Sequence, residues 1–121
     1  IRLLCNKGET MSTLSELKCV TCNKNAKLLT PIEIDVLLRE ISGWAVIIDK
    51  GTHKLTRQFK TKNYQQSILF TNEVAELAKI ANHHPQIIVE YACVTVIWWS
   101  HTIKGLHKND FIMAAKTTDV F

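Results

Sequence analysis

Pro85 puts a stop near the middle of the second half of this 121-residue chain, and the rest of the fold has to be arranged around it. Proline disfavours the α conformation at the residue before it, so no helix should continue through His84. Ahead of the stop, Phe70, Val74, Leu77, Ala78 and Ala81 keep helical spacing, and Asn63 with Gln66 supplies a start signal. A helix is therefore expected from about Tyr64 to about Ala81. Beyond the stop, Gln86 to Tyr91 and Cys93 to His101 read as two strands. Asn82-His83-His84-Pro85 thus lies at a joint between helix and sheet, and four of the five histidines fall between positions 83 and 107.

Upstream, Thr30-Pro31-Ile32-Glu33 carries an N-cap threonine, a proline at the first helical position and a glutamate at N3. Ile34, Leu37, Leu38 and Ile41 continue it as an amphipathic helix, which Ser42-Gly43 should close. Trp44 to Ile48 and His53 to Lys60, joined across Asp49-Lys50-Gly51-Thr52, predict an antiparallel hairpin. His53 there reads as a solvated surface residue. After Gly105-Leu106, residues Phe111, Ala114, Ala115 and Thr118 suggest a last helix. The order α-β-β-α-β-β-α implies an α+β fold, a four-stranded antiparallel sheet with the helices packed on one face. Residues 1–27 show no sustained periodicity and read as a loosely ordered arm, with residues 1–10, ahead of Met11, an extension that need not be native. Residues 28–121 read as one domain.

A net charge of +4 is too small to define a nucleic-acid binder, and no apolar run approaches a membrane span. Trp98 and Trp99 should point to opposite sides of a strand, which argues against one base-stacking surface. Apolar residues on both faces of that strand predict a central strand or an edge that pairs with another subunit. Of the four cysteines, only Cys19 and Cys22 form a Cys-x-x-Cys pair, half of what a structural zinc site uses. They are read as reduced thiols in a soluble, intracellular protein.

Three chemistries suit the histidines. Imidazolium at a helix C-terminus is favoured by the macrodipole. A three-histidine metal site is awkward, because adjacent histidines on an extended segment point apart. Metal-free acid–base catalysis uses a group that titrates near neutrality, provided His83, His84 and His101 share one rim of the sheet.

The spacing His83-His84-Pro85, five residues, Tyr91, nine residues, His101, eight residues, Asp110 resembles that of the pterin-4a-carbinolamine dehydratase family. Lys18-Cys19 with Cys22, Leu29-Thr30-Pro31 and Gly43-Trp44 extend the likeness over residues 18–121. The resemblance implies dehydration of 4a-hydroxytetrahydrobiopterin to quinonoid dihydrobiopterin, without metal or other cofactor, in recycling of the pterin. It implies His83, His84 and His101 as catalytic residues, read as acid toward the 4a hydroxyl, orienting group and base respectively. Asn82, Pro85, Ser100, Asp110 and Glu76 are the expected substrate-binding residues.

Lys79 stands where the family commonly has an acidic residue, and a lysine cannot accept a hydrogen bond from pterin N–H groups. Glu76, one helical turn earlier, is the expected partial replacement or partner for Lys79. Asp110 is expected as site residue or helix cap, and His107 as a weak cap where the family has Ser or Thr. The resemblance also implies a homodimer or homotetramer, a cytoplasmic and in part nuclear protein, and an alternative role as a dimerisation cofactor of a transcription factor.

Overall fold

The computed structural model describes residues 13–20 and 26–121. Helix α1 spans Pro31–Leu38, strand β1 Ala45–Asp49, β2 Thr52–Lys60, α2 Tyr64–Ala81, β3 Gln86–Glu90, β4 Cys93–Trp98 and α3 Lys108–Val120. The strands form one antiparallel sheet in the order β1-β2-β4-β3, with the α-β-β-α-β-β-α sequence of elements expected.

Strand alternation explains the layering. Leu55 and Phe59 of β2 and Val94, Val96 and Trp98 of β4 are buried against Phe70, Val74 and Ala78 of α2 and Phe111 and Ala114 of α3. Burying each large side chain contributes about 1.5–3 kcal/mol. The two indoles in this layer have their N–H groups satisfied from α3. Trp44 Nε1 donates to Thr118 Oγ1 at 2.9 Å and Trp98 Nε1 to Thr117 Oγ1 at 3.0 Å. Strand β4 is interior to the sheet, so Thr95 and Ile97 on its other face are also buried. The two-faced apolar pattern therefore marks a central strand.

Two expected boundaries shift. Helix α1 stops at Leu38, and the apolar stripe reaches Ile41 through tightened turns in which Glu40 N donates to Leu37 O and Ile41 N to Leu38 O. Gly43 then takes φ +90, as a glycine after a helix can. Strand β4 stops at Trp98 and does not reach His101. Ser100 and Gly105 form an isolated bridge around a four-residue turn in which Lys104 takes φ 55. Gly105 lies against the end of the Leu28 side chain, which would have to shift to admit a Cβ.

Part of the expected arm has definite contacts. Leu14–Glu16 forms a 3-10 turn capped by Thr13, and Leu14 is buried in the core. Asn109 clamps Val20 from both sides of its backbone, accepting from Val20 N at 3.0 Å and donating to Val20 O at 2.7 Å. Met11, Cys5, Cys22 and residues 1–10 lie outside the described residues.

Candidate active site

The joint after α2 is built by the backbone. Asn82 takes the left-handed conformation (φ 52, ψ 43), with its N–H on Lys79 O and that of His83 on Ala78 O. These are the paired bonds of a Schellman motif, which asparagine can close in place of glycine. The chain then leaves as β3, whose Gln86 pairs with Ile97 near the end of β4. Antiparallel pairing therefore sets the start of β3 and the end of β4 on the same rim, so the His83-His84 pair and His101 meet there. Among the described residues, Asn82, His83, His84, Ser100 and His101 line one cleft of about 400 Å³, a volume suited to a small molecule.

Asp110 organises this cleft from behind. It is fully buried, and its carboxylate accepts from three donors. His83 Nε2 lies 2.7 Å from Oδ1, Ser100 Oγ donates to Oδ2 at 2.8 Å, and the His107 N–H donates to Oδ2 at 2.9 Å. Three donors meet the requirement that a buried carboxylate be compensated. Asp110 is at once the reciprocal half of the α3 capping box and the partner of His83. His107 is a working cap, because its Nδ1 accepts from Asn109 N at 3.1 Å. An imidazole nitrogen with a free lone pair does here what a serine oxygen ordinarily does.

His83 is 11% exposed and stacks on Trp98, with ring planes 5° apart and centroids separated by 5.8 Å. His101 is exposed, and its Nε2 lies 3.1 Å from the backbone oxygen of His84. A carbonyl only accepts, so His101 carries its hydrogen on Nε2 and in the neutral ring keeps the lone pair on Nδ1. Each of these two histidines thus has one nitrogen committed to the protein, which orients the ring for the other. His84 is exposed and contributes its carbonyl to this arrangement.

Pro85 and Glu76 do not line the cleft, and Asp110 touches it only through His83 and Ser100. Glu76 and Lys79 are both exposed on α2 and form no ion pair within 4.0 Å among the described residues. Tyr91 lies in the turn at the far end of β3, 69% exposed.

The cleft also has walls that the sequence reading did not include. Cys19, Val20 and Asn109 form one side and Thr102 part of another. Burial raises the Cys19 thiol pKa to about 11, with the Asp110 charge acting in the same direction and Lys116 opposing it. A thiol in that state is protonated at neutral pH and serves as a wall, not as a nucleophile. Asn109 was discoverable in principle as the neighbour of Asp110 in a helical first turn. Its partner Val20 is 89 residues away and has no local signal.

The fold and the cleft together define a small α+β protein with oriented imidazoles around a pocket of small-molecule size. The model of the family described as pterin 4 alpha carbinolamine dehydratase matches residues 27–120. A protein of Photobacterium profundum, named "Putative pterin-4-alpha-carbinolamine dehydratase", is 50% identical over 107 residues, covering 88% of this chain and 96% of the relative. The solved structure of a transcriptional coactivator/pterin dehydratase from Brucella melitensis superposes with a TM-score of 0.71 at 30% identity, covering 78% of this chain and 98% of that one. The chain belongs to the pterin 4 alpha carbinolamine dehydratase family.

Proposed function

We propose that this protein dehydrates 4a-hydroxytetrahydrobiopterin to quinonoid dihydrobiopterin by histidine acid–base catalysis. The observation that carries the reading is the pairing of His83 with buried Asp110 on the rim where His101 is held by the His84 carbonyl. The reaction breaks the bond between the 4a carbon and its hydroxyl oxygen and forms a double bond from that carbon to the adjacent ring nitrogen. A proton must reach the departing oxygen, giving water, and the ring N–H must lose one.

His83 is the acid in this reading. Its Nε2 is committed to Asp110, so Nδ1 delivers the proton, and the carboxylate supplies the countercharge for a ring carrying both hydrogens. His101 is the base, through the lone pair on Nδ1. His84 and Asn82 orient the substrate from the cleft wall, and Ser100 acts by holding Asp110. The step calls on no redox or metal chemistry, only on placed protons.

The decisive measurement follows dehydration of enzymatically generated 4a-hydroxytetrahydropterin by wild type, His83→Ala and His101→Ala. Removing a general acid or base is expected to lower turnover by about 10²–10⁴-fold. Equal rates in all three would overturn the reading.

The Brucella protein is named as both coactivator and dehydratase, which supports a second reading as a partner for a transcription factor. Exposed Leu69 and Ile80 on α2 give such a partner, or another copy of this chain in a dimer or tetramer, an apolar surface to cover. Light scattering across a concentration series tests the oligomer.

A further inference from the structure

Trp99 lies just past the end of β4, half-buried, and two groups meet its ring. The Lys54 Nζ is 3.8 Å from the ring centre. The His101 imidazole stacks on it with centroids 4.3 Å apart and planes 22° apart. The ammonium and the imidazole therefore both lie against this one indole. Lys54 is itself fixed. It is 8% exposed, its ammonium is paired with Asp49 Oδ2 at 2.9 Å, and its backbone pairs with Ile47.

His101 needs such support. It begins an exposed turn outside the strand, and among the described residues its ring is held by one hydrogen bond, from Nε2 to the His84 carbonyl, which fixes a single ring atom. One fixed atom leaves the ring free to tilt. A flat surface against its face removes that freedom and aims Nδ1. A cation over an aromatic face is attracted by the ring quadrupole, so Lys54 helps to hold the indole in place.

We propose that Trp99, braced by Lys54, is the positioning residue for His101, so that the hairpin β1–β2 takes part in orienting the site. This rests on the reading of His101 as a proton-transferring group. Neither Trp99 nor Lys54 lines the cleft, so both act through His101.

The test compares Trp99→Leu, Trp99→Tyr and Lys54→Met with wild type, by steady-state kinetics and by proton NMR of the His101 ring. Misaiming a catalytic group by an ångström costs on the order of 10²-fold, so Trp99→Leu is expected to lower kcat by about 10–100-fold with KM changed less than about threefold. Trp99→Tyr restores a flat face and is expected to recover kcat to within about threefold. The upfield ring-current shift of the His101 protons is expected to vanish in Trp99→Leu and persist in Trp99→Tyr. Lys54→Met keeps the stem without the charge and is expected to lower kcat several-fold and move the same signals, which decides the matter if Trp99→Leu does not fold. Unchanged kcat in Trp99→Leu, or in Lys54→Met where it alone is folded, would overturn the proposal whatever the His101 signals do. Absence of pterin turnover in wild type would overturn the acid–base reading instead, because the ring signals report His101 without it.

Discussion

The imidazole of His83 and the carboxylate of Asp110 are 2.7 Å apart across 27 residues of chain, and the carboxylate is fully buried. One side chain therefore starts α3, holds Ser100 and orients a cleft histidine. Replacement by the isosteric amide separates these roles from shape. Asp110→Asn is expected to lower stability by about 2–3 kcal/mol, since an amide cannot accept from all three donors. Turnover is expected to fall by about 10–100-fold, because the charge behind His83 is gone. Urea unfolding alongside kinetics checks both, and a variant with wild-type values in each would remove Asp110 from the site.

The three histidines are expected to fail differently. His83→Ala and His101→Ala lose kcat, whereas His84→Ala raises KM more than it lowers kcat, because its side chain orients and its backbone carbonyl survives the substitution. If His84→Ala abolished turnover while His101→Ala left it untouched, the assignment of roles would be reversed.

Asn109 ties the segment around Cys19 and Val20 to α3 through two hydrogen bonds. Asn109→Ala is expected to cost about 1–3 kcal/mol and to raise KM as that wall of the cleft loosens. Faster amide exchange at Val20 than at Phe70 in the same variant would locate the loss.

The Cys19 thiol gives a pH signature. Its pKa is ordinarily near 9.0 and stands at about 11 in the folded chain. Between those values the folded state holds a proton that the unfolded state has released, so stability falls as pH rises through this window. Below it the thiol's contribution is constant. The urea midpoint of wild type is therefore expected to drop more between about pH 8 and about pH 10.5 than that of Cys19→Ala, with equal drops counting against a buried protonated thiol.

His107→Ala is expected to lose about 0.5–2 kcal/mol and His107→Ser to keep most of it, since the cap needs only an acceptor for Asn109 N. Thermal melts of the pair distinguish capping from packing.

The element order was legible because each segment announces itself locally. Thr30 accepts from Glu33 N, Asn63 from Gln66 N, and helix α2 ends before Pro85 as its sterics demand. The shared rim of His83, His84 and His101 followed from that order once the strands were antiparallel. What local pattern could not carry was anything decided by a partner distant in sequence. Strand β4 ends at Trp98 because Ser100 turns to Asp110 and bridges Gly105. Asp110, expected as cap or site residue, caps α3 through Oδ2 and meets His83 through Oδ1, outside the cleft lining itself. Glu76, selected by helical spacing to Lys79, projects from α2 outside the cleft.

The pairing of Leu55 with Trp98 sets more than the core. A one-residue insertion within β2 would exchange its two faces, taking Leu55 out of the packed layer and Lys54 off the Trp99 ring together. Length changes in this hairpin should survive in sequence evolution only at the exposed Lys50-Gly51 turn, where φ values of 52 and 84 already mark a loop outside the ladder. The sheet's alignment is in that sense inherited as a single unit with the aim of His101.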